Sequence, residues 1–337
     1  MSTEIADALS RLAPGILGAD GQVEGLQRLS GGASMETWAF SLVAPQARKE
    51  LILRRRPAGG SALQEGDEKA NSLALEAALI RAAGAGGVPV PPVEHVCRPG
   101  DGLGEAYVMG RISGETLGRK IVADARFDAV RPKLARQCGE AMARIHAVPP
   151  PEGLELRVAD AIGELDKYEE IYRSSGARRP VLELAFRDLR ARAPAMSRPV
   201  LVHGDFRNGN LMFDPEKGVV AVLDWELSHL GDPAEDMGWL CVNSWRFGRA
   251  DRPVGGFGDY EEMLAGYEAA GGEPVSLERV LFWQALGSLK WGVMCLMMFL
   301  SSVSPEAKGD AGVERAVIGR RVSETEIDII RILERGQ

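Results

Sequence analysis

His203-Gly-Asp-Phe-Arg-Asn-Gly-Asn210 is the most informative segment of this 337-residue chain. The short apolar runs Val200–Val202 before it and Asn210–Phe213 at its end are both predicted to be strands. A third predicted strand, Val219–Leu223, ends directly in Asp224. Because polar groups at the ends of consecutive strands converge on one side of a sheet, Asp205, Asn210 and Asp224 are expected to face one cavity.

Phosphoryl transfer requires this set of groups. A carboxylate accepts the proton of the attacking hydroxyl, while an amide oxygen and a second carboxylate hold Mg²⁺ against the phosphates of a nucleotide. The spacing H-x-D-x-x-x-x-N matches the catalytic loop of kinases, and an aspartate after a short hairpin matches their metal ligand. Asp, Asn and Gly are also ordinary turn residues. Since H-G-D-x-x-x-x-N is expected by chance in roughly one chain in a few thousand, the functional interpretation is favoured.

The residues on the N-terminal side of this segment predict a small, mainly β lobe. Apolar residues at helical spacing predict one helix from Ser72 to Gly84, and the polar segment Gly60–Lys69 is predicted to be a loop. The main predicted strands are Thr37–Val43, Leu51–Arg54, Glu94–Cys97 and Ala106–Met109.

The residues after Gly114 have mainly helical patterns. The predicted helices are Arg131–His146, Ala159–Tyr172, Val181–Ala193, Tyr260–Ala269, Leu277–Leu300 and Glu324–Glu334, with a further one around Met237. The chain is therefore predicted to be an α+β protein of two lobes. The N-lobe comprises residues 1–112, and the larger, mostly helical C-lobe comprises residues 113–337.

Composition and charge argue against several classes of protein. With 40 basic and 48 acidic residues the net charge is −8, so nucleic-acid binding is not expected. The most apolar run, Trp291–Leu300, is shorter than the roughly 20 residues that a bilayer requires, and the acidic first residues do not form a signal peptide, so no membrane contact is expected. Four widely spaced cysteines favour a reducing, cytoplasmic location. No pattern indicates an oligomeric state.

From about Leu26 to the C-terminal helices, the chain resembles the aminoglycoside phosphotransferase (APH) family, small-molecule kinases with a protein-kinase-like fold. It is most similar to the branch that includes phosphotransferase domains fused to acyl-CoA dehydrogenases. The residues that carry this similarity are Leu51-Ile-Leu-Arg-Arg-Arg-Pro57, His203-Gly-Asp-Phe-Arg207, Leu223-Asp-Trp-Glu226 and Gly231-Asp-Pro233. The resemblance implies a bilobal protein-kinase-like fold, with ATP as phosphate donor and Mg²⁺ as its partner.

The resemblance also assigns roles to individual residues. Asp205 corresponds to the catalytic base, and Asn210 and Asp224 correspond to the Mg²⁺ ligands. Glu226 would assist metal binding, either through a water molecule or by holding a second ion. The loop over the ATP phosphates corresponds to Ser30, Gly31, Gly32, Ala33 and Ser34, whose backbone N–H groups suit anionic oxygens, although a Gly-Gly hairpin turn has the same pattern.

Arg54 stands where kinases place a strand lysine that contacts the α- and β-phosphates, and Glu76 stands where the ion-pair partner of that lysine lies. Arginine keeps a permanent charge and binds phosphate with a planar fork, so the role can survive the replacement. Arg55 and Arg56 compete for the same role by a slip in register, since strand alternation places Arg54 and Arg56 on one side and Arg55 on the other. Without Arg54, the default for Glu76 would be a solvated helix carboxylate.

Met109-Gly110-Arg111 resembles the hinge of the family, where backbone groups bind adenine and Met109 would border the pocket. A methionine at the end of a strand is also typical of a core residue. Four tryptophans lie in the helical part that builds the acceptor pocket in this family, although helical aromatic residues are usually core residues. They are Trp239, Trp245, Trp283 and Trp291.

The leading hypothesis is a kinase that uses ATP and Mg²⁺ to phosphorylate a hydroxyl of a small molecule. Its branch suggests a hydroxyacyl-CoA or a hydroxy acid; an aminoglycoside or another hydroxylated metabolite is the alternative. A basic acceptor cleft would favour CoA, and an acidic one an aminoglycoside. Arg54 also motivates an alternative of another class, a nucleotide-binding pseudokinase. The absence of G-x-x-x-x-G-K-[ST] and A-P-E motifs argues against a Walker-type ATPase and a protein kinase.

Overall fold

The computed structural model describes residues 2–29, 35–56, 71–196, 198–303 and 310–335. Its residues form two compact units. The first comprises residues 1–114, 149–154 and 220–227, and the second comprises the remainder. Residues 220–227, which the sequence assigns to the C-lobe, thus belong with the first unit. The predicted phosphate loop (Ser30, Gly31, Gly32 and Ser34) and the predicted loop Gly60–Lys69 lie outside the described residues.

The first unit contains an antiparallel sheet of five strands with the order β1-β2-β3-β5-β4. Its strands are β1 Gln22–Arg28, β2 Glu36–Ala44, β3 Ala47–Arg55, β4 Val93–Val96 and β5 Ala106–Gly110. Its helices are α1 Ser2–Ser10, α2 Ala13–Leu17 and α3 Leu73–Ala85. Helices α1 and α2 are additional to the elements that the sequence predicts.

One face of the sheet packs against α1 and α2. Leu42, Leu51 and Val108 are fully buried there beside Leu9 of α1, so alternating apolar residues of the strands form a common core with the helix. Helix α3 begins where the sequence predicts, because the Ser72 hydroxyl accepts a hydrogen bond from the backbone N–H of Leu75 at 3.2 Å.

The second unit is mainly helical. Its helices are α4 Gly118–Ala123, α5 Leu134–His146, α6 Ala161–Ser174, α7 Pro180–Arg192, α8 Pro233–Leu240, α9 Tyr260–Ala269, α10 Leu277–Ser302, α11 Asp310–Gly319 and α12 Val322–Arg335. Short strands interrupt them: β6 Val200–Val202, β7 Leu211–Asp214, β8 Gly218–Val222 and β9 His229–Gly231. Strand β6 pairs with β9 in antiparallel register, and β8 leads the chain into the first unit.

Helix α10 is the central helix of the second unit. Within the described ranges it is the one helix that is long and apolar enough to cross a bilayer, with 26 residues, and 61% of its most apolar window is buried inside the protein. It contacts α6, α7, α8, α11 and α12, which is typical of the core helix of a folded unit. This packing favours the predicted buried helix over a membrane span.

Helices α5 and α9 approach each other so closely that glycine is required on both. A Cβ on Gly139 would lie 2.0 Å from the backbone oxygen of Met263, and one on Gly266 would lie 2.1 Å from that of Arg136. We expect Gly139→Ala to lower the free energy of unfolding by about 1–3 kcal/mol or more, because backbone cannot move aside as a side chain can. Urea denaturation measures this loss.

Gly15→Ala is the matched control, because a Cβ at this helical position of α2 meets no atom within 4 Å. This variant is expected to lose no stability and to gain about 0.5–1 kcal/mol from the higher helix propensity of alanine. Equal effects of the two substitutions would contradict the proposed contact between α5 and α9.

Candidate active site

The loop His203–Asn210 connects β6 to β7 in the second unit. Gly204 and Gly209 have φ angles of 79° and 107°, a region that glycine adopts without strain. These two turns place Asp205 between them, partly buried beside α8.

The carboxylate of Asp205 is held by three side-chain donors. Trp239 Nε1 donates to Oδ1 at 2.7 Å and Arg207 Nε donates to the same atom at 2.8 Å. Asn210 Nδ2 donates to Oδ2 at 2.6 Å. Because Asn210 directs its nitrogen toward Asp205, its Oδ1 is the atom that it can offer to a cation. The arrangement orients a carboxylate that can accept a proton and keeps it in place.

Asp236 of α8 anchors the start of this loop from beneath. It is fully buried, and its carboxylate accepts backbone N–H bonds from His203 at 2.8 Å and Gly204 at 2.9 Å. Its Oδ2 also lies 3.2 Å from His146 Nε2. Burial by itself would raise the pKa of Asp236, but the hydrogen bond and charge of His146 and the bonded amides hold it below its ordinary value.

Replacement of this anchor tests its contribution to stability. We expect Asp236→Asn to lower the free energy of unfolding by about 1–3 kcal/mol, because an amide cannot accept from both backbone donors. Since the folded-state pKa of Asp236 is depressed, its stabilisation is present above the ordinary value of 3.8 and is lost as pH falls below it. Denaturation should therefore show a difference in the free energy of unfolding between variant and wild type that is smaller at pH 3 than at pH 7.

Asp166→Asn is the control for this experiment, since Asp166 is an exposed partner of Arg190. Exposed ion pairs contribute at most about 1 kcal/mol, so the control should remain close to wild type at both pH values. A gap for Asp236→Asn that widened in acid would contradict the assigned pKa direction.

Two cationic side chains lie beside Asp205 on aromatic rings. The guanidinium of Arg207 lies 4.5 Å from the centre of the Trp245 ring, and Nζ of Lys290 lies 5.2 Å from the centre of the Trp239 ring. Trp239 and Trp245 contact each other edge to face, with ring centres 5.5 Å apart. The surroundings of Asp205 are therefore aromatic and contain two cations, of which Arg207 pairs with Asp205 and Lys290 lies 3.9 Å from the buried Glu164.

The first unit holds a second group of functional side chains, the arginine cluster of Arg54, Glu76, Tyr107, Asp224 and Glu226. Arg54 Nε lies 3.3 Å from Glu76 Oε2, and its Nη2 donates to Asp224 at 2.6 Å and to Glu226 at 2.8 Å. The hydroxyl of Tyr107 donates to Glu76 at 3.0 Å.

Burial and charge act in opposite directions on the pKa values of this cluster. Burial alone would lower the pKa of Arg54, but the carboxylates of Glu76 and Asp224 raise it above its ordinary value. Burial raises the pKa of Glu76, and the charge of Arg54 opposes that rise. Arg54 therefore remains a cation in contact with Glu76 and with both acidic residues at the end of β8.

Asp224 adopts a backbone conformation that is unusual for its residue type, with φ 65°. The following residues are fixed: Trp225 is fully buried, and the backbone oxygen of Glu226 accepts from Asn71 N–H at 2.8 Å. Strain of this kind persists where surrounding contacts determine the backbone, and it is frequent at functional sites.

The register of β3 separates the three consecutive arginines. Arg55 lies 3.1 Å from Glu36, and Arg56 lies 2.8 Å from Glu105. Arg54 is the arginine of this run that contacts Glu76 and the Asp224 turn, so it makes the ion pair expected with Glu76, and its contact with phosphates stays a prediction.

The predicted hinge residues use their backbone donors inside the first unit. The N–H of Gly110 donates to Pro92 and the N–H of Arg111 donates to Glu50, both at 2.9 Å. Met109 is half-buried in β5. A base bound here could not accept from these two N–H groups without breaking those bonds.

His95, Cys97 and Asp101 form a further group whose ligand atoms all lie within 4.8 Å of one another, although the sequence suggests no metal partner for His95. Asp101 has a structural role, since it accepts a hydrogen bond from the backbone N–H of Arg98 at 2.8 Å and pairs with His95 at 2.8 Å. We assign this group to the anchoring of the loop after β4.

The predicted metal ligands fit Mg²⁺ by their chemistry. This cation prefers carboxylate and amide oxygens, which Asp224, Glu226 and Asn210 provide. In the arginine cluster a single guanidinium faces three carboxyl groups, so the cluster retains an acidic character that a divalent cation could neutralise. The predicted Mg²⁺ sharing between Asn210 and Asp224 stays a prediction.

Solved structures resemble the whole chain. A candidate aminoglycoside phosphotransferase from Ralstonia eutropha JMP134 superposes with a TM-score of 0.73 at 22% identity and covers 96% of this chain and 98% of its own. A spectinomycin phosphotransferase in complex with ADP and spectinomycin gives 0.64 at 14% identity, covering 96% and 97%. A choline/ethanolamine kinase family protein from Mesorhizobium loti gives 0.60 at 21%, covering 98% of both. These likenesses confirm the predicted α+β, protein-kinase-like fold.

Similar sequences belong to larger proteins. Acyl-CoA dehydrogenase family member 10 of Mus musculus is 30% identical over 248 residues, which are 70% of this chain and 22% of that protein. Acyl-CoA dehydrogenase family member 11 of Homo sapiens is 27% identical over 55% of this chain and 24% of its own length. The chain thus spans about a quarter of these relatives. Residues 25–272, well over half of the chain, match the profile of the Phosphotransferase enzyme family (APH), so the chain belongs to this family.

Proposed function

We propose that this phosphotransferase uses ATP and Mg²⁺ and that Asp205 is its catalytic base. The oriented carboxylate of Asp205, held by Trp239, Arg207 and Asn210, carries this proposal. The acceptor oxygen forms a bond to the γ-phosphorus, the bond from that phosphorus to the β–γ bridging oxygen breaks, and ADP leaves with the electron pair. The proton of the acceptor hydroxyl passes to Asp205.

Asn210, Asp224 and Glu226 are proposed to hold Mg²⁺, which when bound neutralises charge on the phosphates. Arg54 presents a planar fork that suits the α- and β-phosphate oxygens. Glu76 and Tyr107 hold Arg54 at the end of β3 for this purpose. The four free cysteines support a reducing compartment, and we propose a cytoplasmic location.

The acceptor is proposed to be an anionic hydroxyl compound, a hydroxyacyl-CoA or a hydroxy acid. Arg207 and Lys290 lie on the aromatic rings beside Asp205, where they would attract a carboxylate or phosphate and disfavour a polycationic aminoglycoside. The acyl-CoA dehydrogenase names of the curated relatives support the same class. The spectinomycin and choline/ethanolamine names of the structural neighbours support the alternative, a hydroxylated cation.

Phosphate transfer from ATP-Mg²⁺ to a panel of acceptors tests the proposal by mass shift. The panel contains 3-hydroxyacyl-CoAs, free hydroxy acids, choline and aminoglycosides. A phosphorylated hydroxyacyl-CoA or hydroxy acid is the expected product, whereas phosphorylation of cations alone would overturn the assigned acceptor class. ATP binding measured by calorimetry without transfer to any acceptor would favour the pseudokinase, and an absence of ATP binding would overturn the nucleotide assignment.

A further inference from the structure

The second unit contains a cavity of about 830 Å³ whose lining residues include none of the predicted catalytic or metal-binding residues. Its walls come from the first turns of α10, the loop after α8, the last turns of α12 and the end of α7. Neither Asp205 nor Arg207 lines it. Its volume is within the range of about 300–1,000 Å³ that is typical of small-molecule sites.

Arg246 is the residue of this cavity that points to a ligand. Only 8% of its surface is exposed, and its Nε and Nη2 donate to the backbone oxygen of Cys241 at 3.1 and 2.7 Å. Among the residues that the structure describes, no carboxylate lies within 4.0 Å of its guanidinium nitrogens. A largely buried cation whose partner is a neutral carbonyl is stabilised less than one that pairs with a carboxylate.

The acidic residues of the cavity are engaged elsewhere or lie in solvent. Asp251 lies 3.3 Å from Arg249, and Asp328 accepts a hydrogen bond from the Ser288 hydroxyl at 2.6 Å. Glu278 is exposed at the rim. The cavity therefore contains a buried positive charge that no lining carboxylate pairs with directly.

The other lining residues define the remainder of the ligand. Arg192 pairs with Asp188, and Arg331 is exposed, so Arg246 is the buried cation among the lining residues. The walls between these polar positions are apolar. They include Leu277, Leu281, Phe282 and Ile332. A molecule with an anionic end and an apolar body matches both features.

The backbone beside Arg246 supports a functional role for its position. The next residue, Phe247, has φ 48°, a left-handed conformation that is unfavourable for a bulky side chain. The preceding residue, Trp245, contacts Arg207 and Trp239, two of the three side chains that donate to Asp205. The same short segment thus connects the cavity to the residues around the base.

We propose that this cavity binds a small organic anion, a monocarboxylate with an unbranched apolar chain, through Arg246. The carboxylate pairs with the Arg246 guanidinium, and the chain lies against the apolar wall. This site is additional to the acceptor site, and binding to it can be measured without phosphate transfer.

Isothermal titration of the full chain with octanoate tests the proposal, with octan-1-ol and octylamine as probes of matched length. Octanoate should bind at least tenfold more tightly than either. Arg246→Gln should lose at least tenfold in octanoate affinity while its thermal unfolding shows that it is folded. Leu281→Trp, which fills the apolar wall and keeps Arg246, should lose binding as well. Arg198→Gln, an exposed substitution outside the cavity, should bind as wild type does.

Several results would overturn the proposal. Equal affinity for octanoate and octan-1-ol would show that charge is not recognised. Wild-type octanoate affinity in Arg246→Gln, or in Leu281→Trp, would place the ligand elsewhere. An absence of octanoate binding at millimolar concentration would show that the cavity does not accept this class of anion.

Discussion

Asp205→Asn is expected to lower kcat by about 10²–10⁴-fold, the contribution of a positioned base to proton transfer. The substitution keeps the size of the side chain and removes its ability to accept the acceptor proton. An amide has one acceptor oxygen where the carboxylate has two. The hydrogen bonds that Arg207 and Asn210 donate to this side chain will therefore be weaker. Steady-state kinetics with the acceptor identified by the panel measures the loss.

ATP affinity should change little in Asp205→Asn, because the role assigned to Asp205 concerns the acceptor. Asp214→Asn is the matched control, since Asp214 ends β7 and accepts only nearby turn amides. That control should retain wild-type kcat. Turnover of Asp205→Asn at the wild-type rate would show that another group takes the proton.

Arg54→Met is expected to lower the free energy of unfolding by about 3–5 kcal/mol, because it leaves the buried carboxylate of Glu76 without its cation. The double variant Arg54→Met/Glu76→Gln should recover most of that loss, since removal of both charges avoids an unpaired buried charge. Chemical denaturation of the single and double variants measures the coupling between the two residues.

Arg56→Met serves as the control for the Arg54 experiment. Its partner Glu105 is partly exposed, and such surface pairs contribute about 0–1 kcal/mol. A loss in Arg54→Met no greater than in Arg56→Met would contradict the assigned role of Arg54 in the first unit. Arg54→Lys, which keeps the charge and loses the planar fork, separates stability from ATP binding.

Prediction of the fold from sequence succeeded where local patterns are strong. Two elements are predicted with their observed bounds, the helix Tyr260–Ala269 and the strand Val200–Val202. The observed helix α10 is two residues longer at its C-terminal end than the predicted one. Two of the elements that the sequence did not predict are very short. Strand β9 has three residues and is defined by its pairing with β6. Helix α2 has five residues and lacks a side-chain cap.

In the candidate site, too, contacts between residues close in sequence could be predicted, whereas contacts between distant residues could not. Asp205 and Asn210 are close in sequence, so their motif indicates their proximity, and the family resemblance implies the pair of Arg54 and Glu76. Trp239 could be named only as an aromatic residue of a helix, because its bond to Asp205 joins residues 34 positions apart. Arg207 is adjacent to Asp205 in the motif, but its contact with Trp245 depends on tertiary packing.

The contacts of Arg54 have a consequence for how the protein matures in a cell. Because the guanidinium of Arg54 offsets part of the charge on Asp224 and Glu226, these acids lie together in the structure without a metal ion between them and Arg54. We therefore expect the first unit to fold without added magnesium. Under the proposed use of ATP and Mg²⁺, the supply of the ion would then limit turnover without limiting the amount of folded protein.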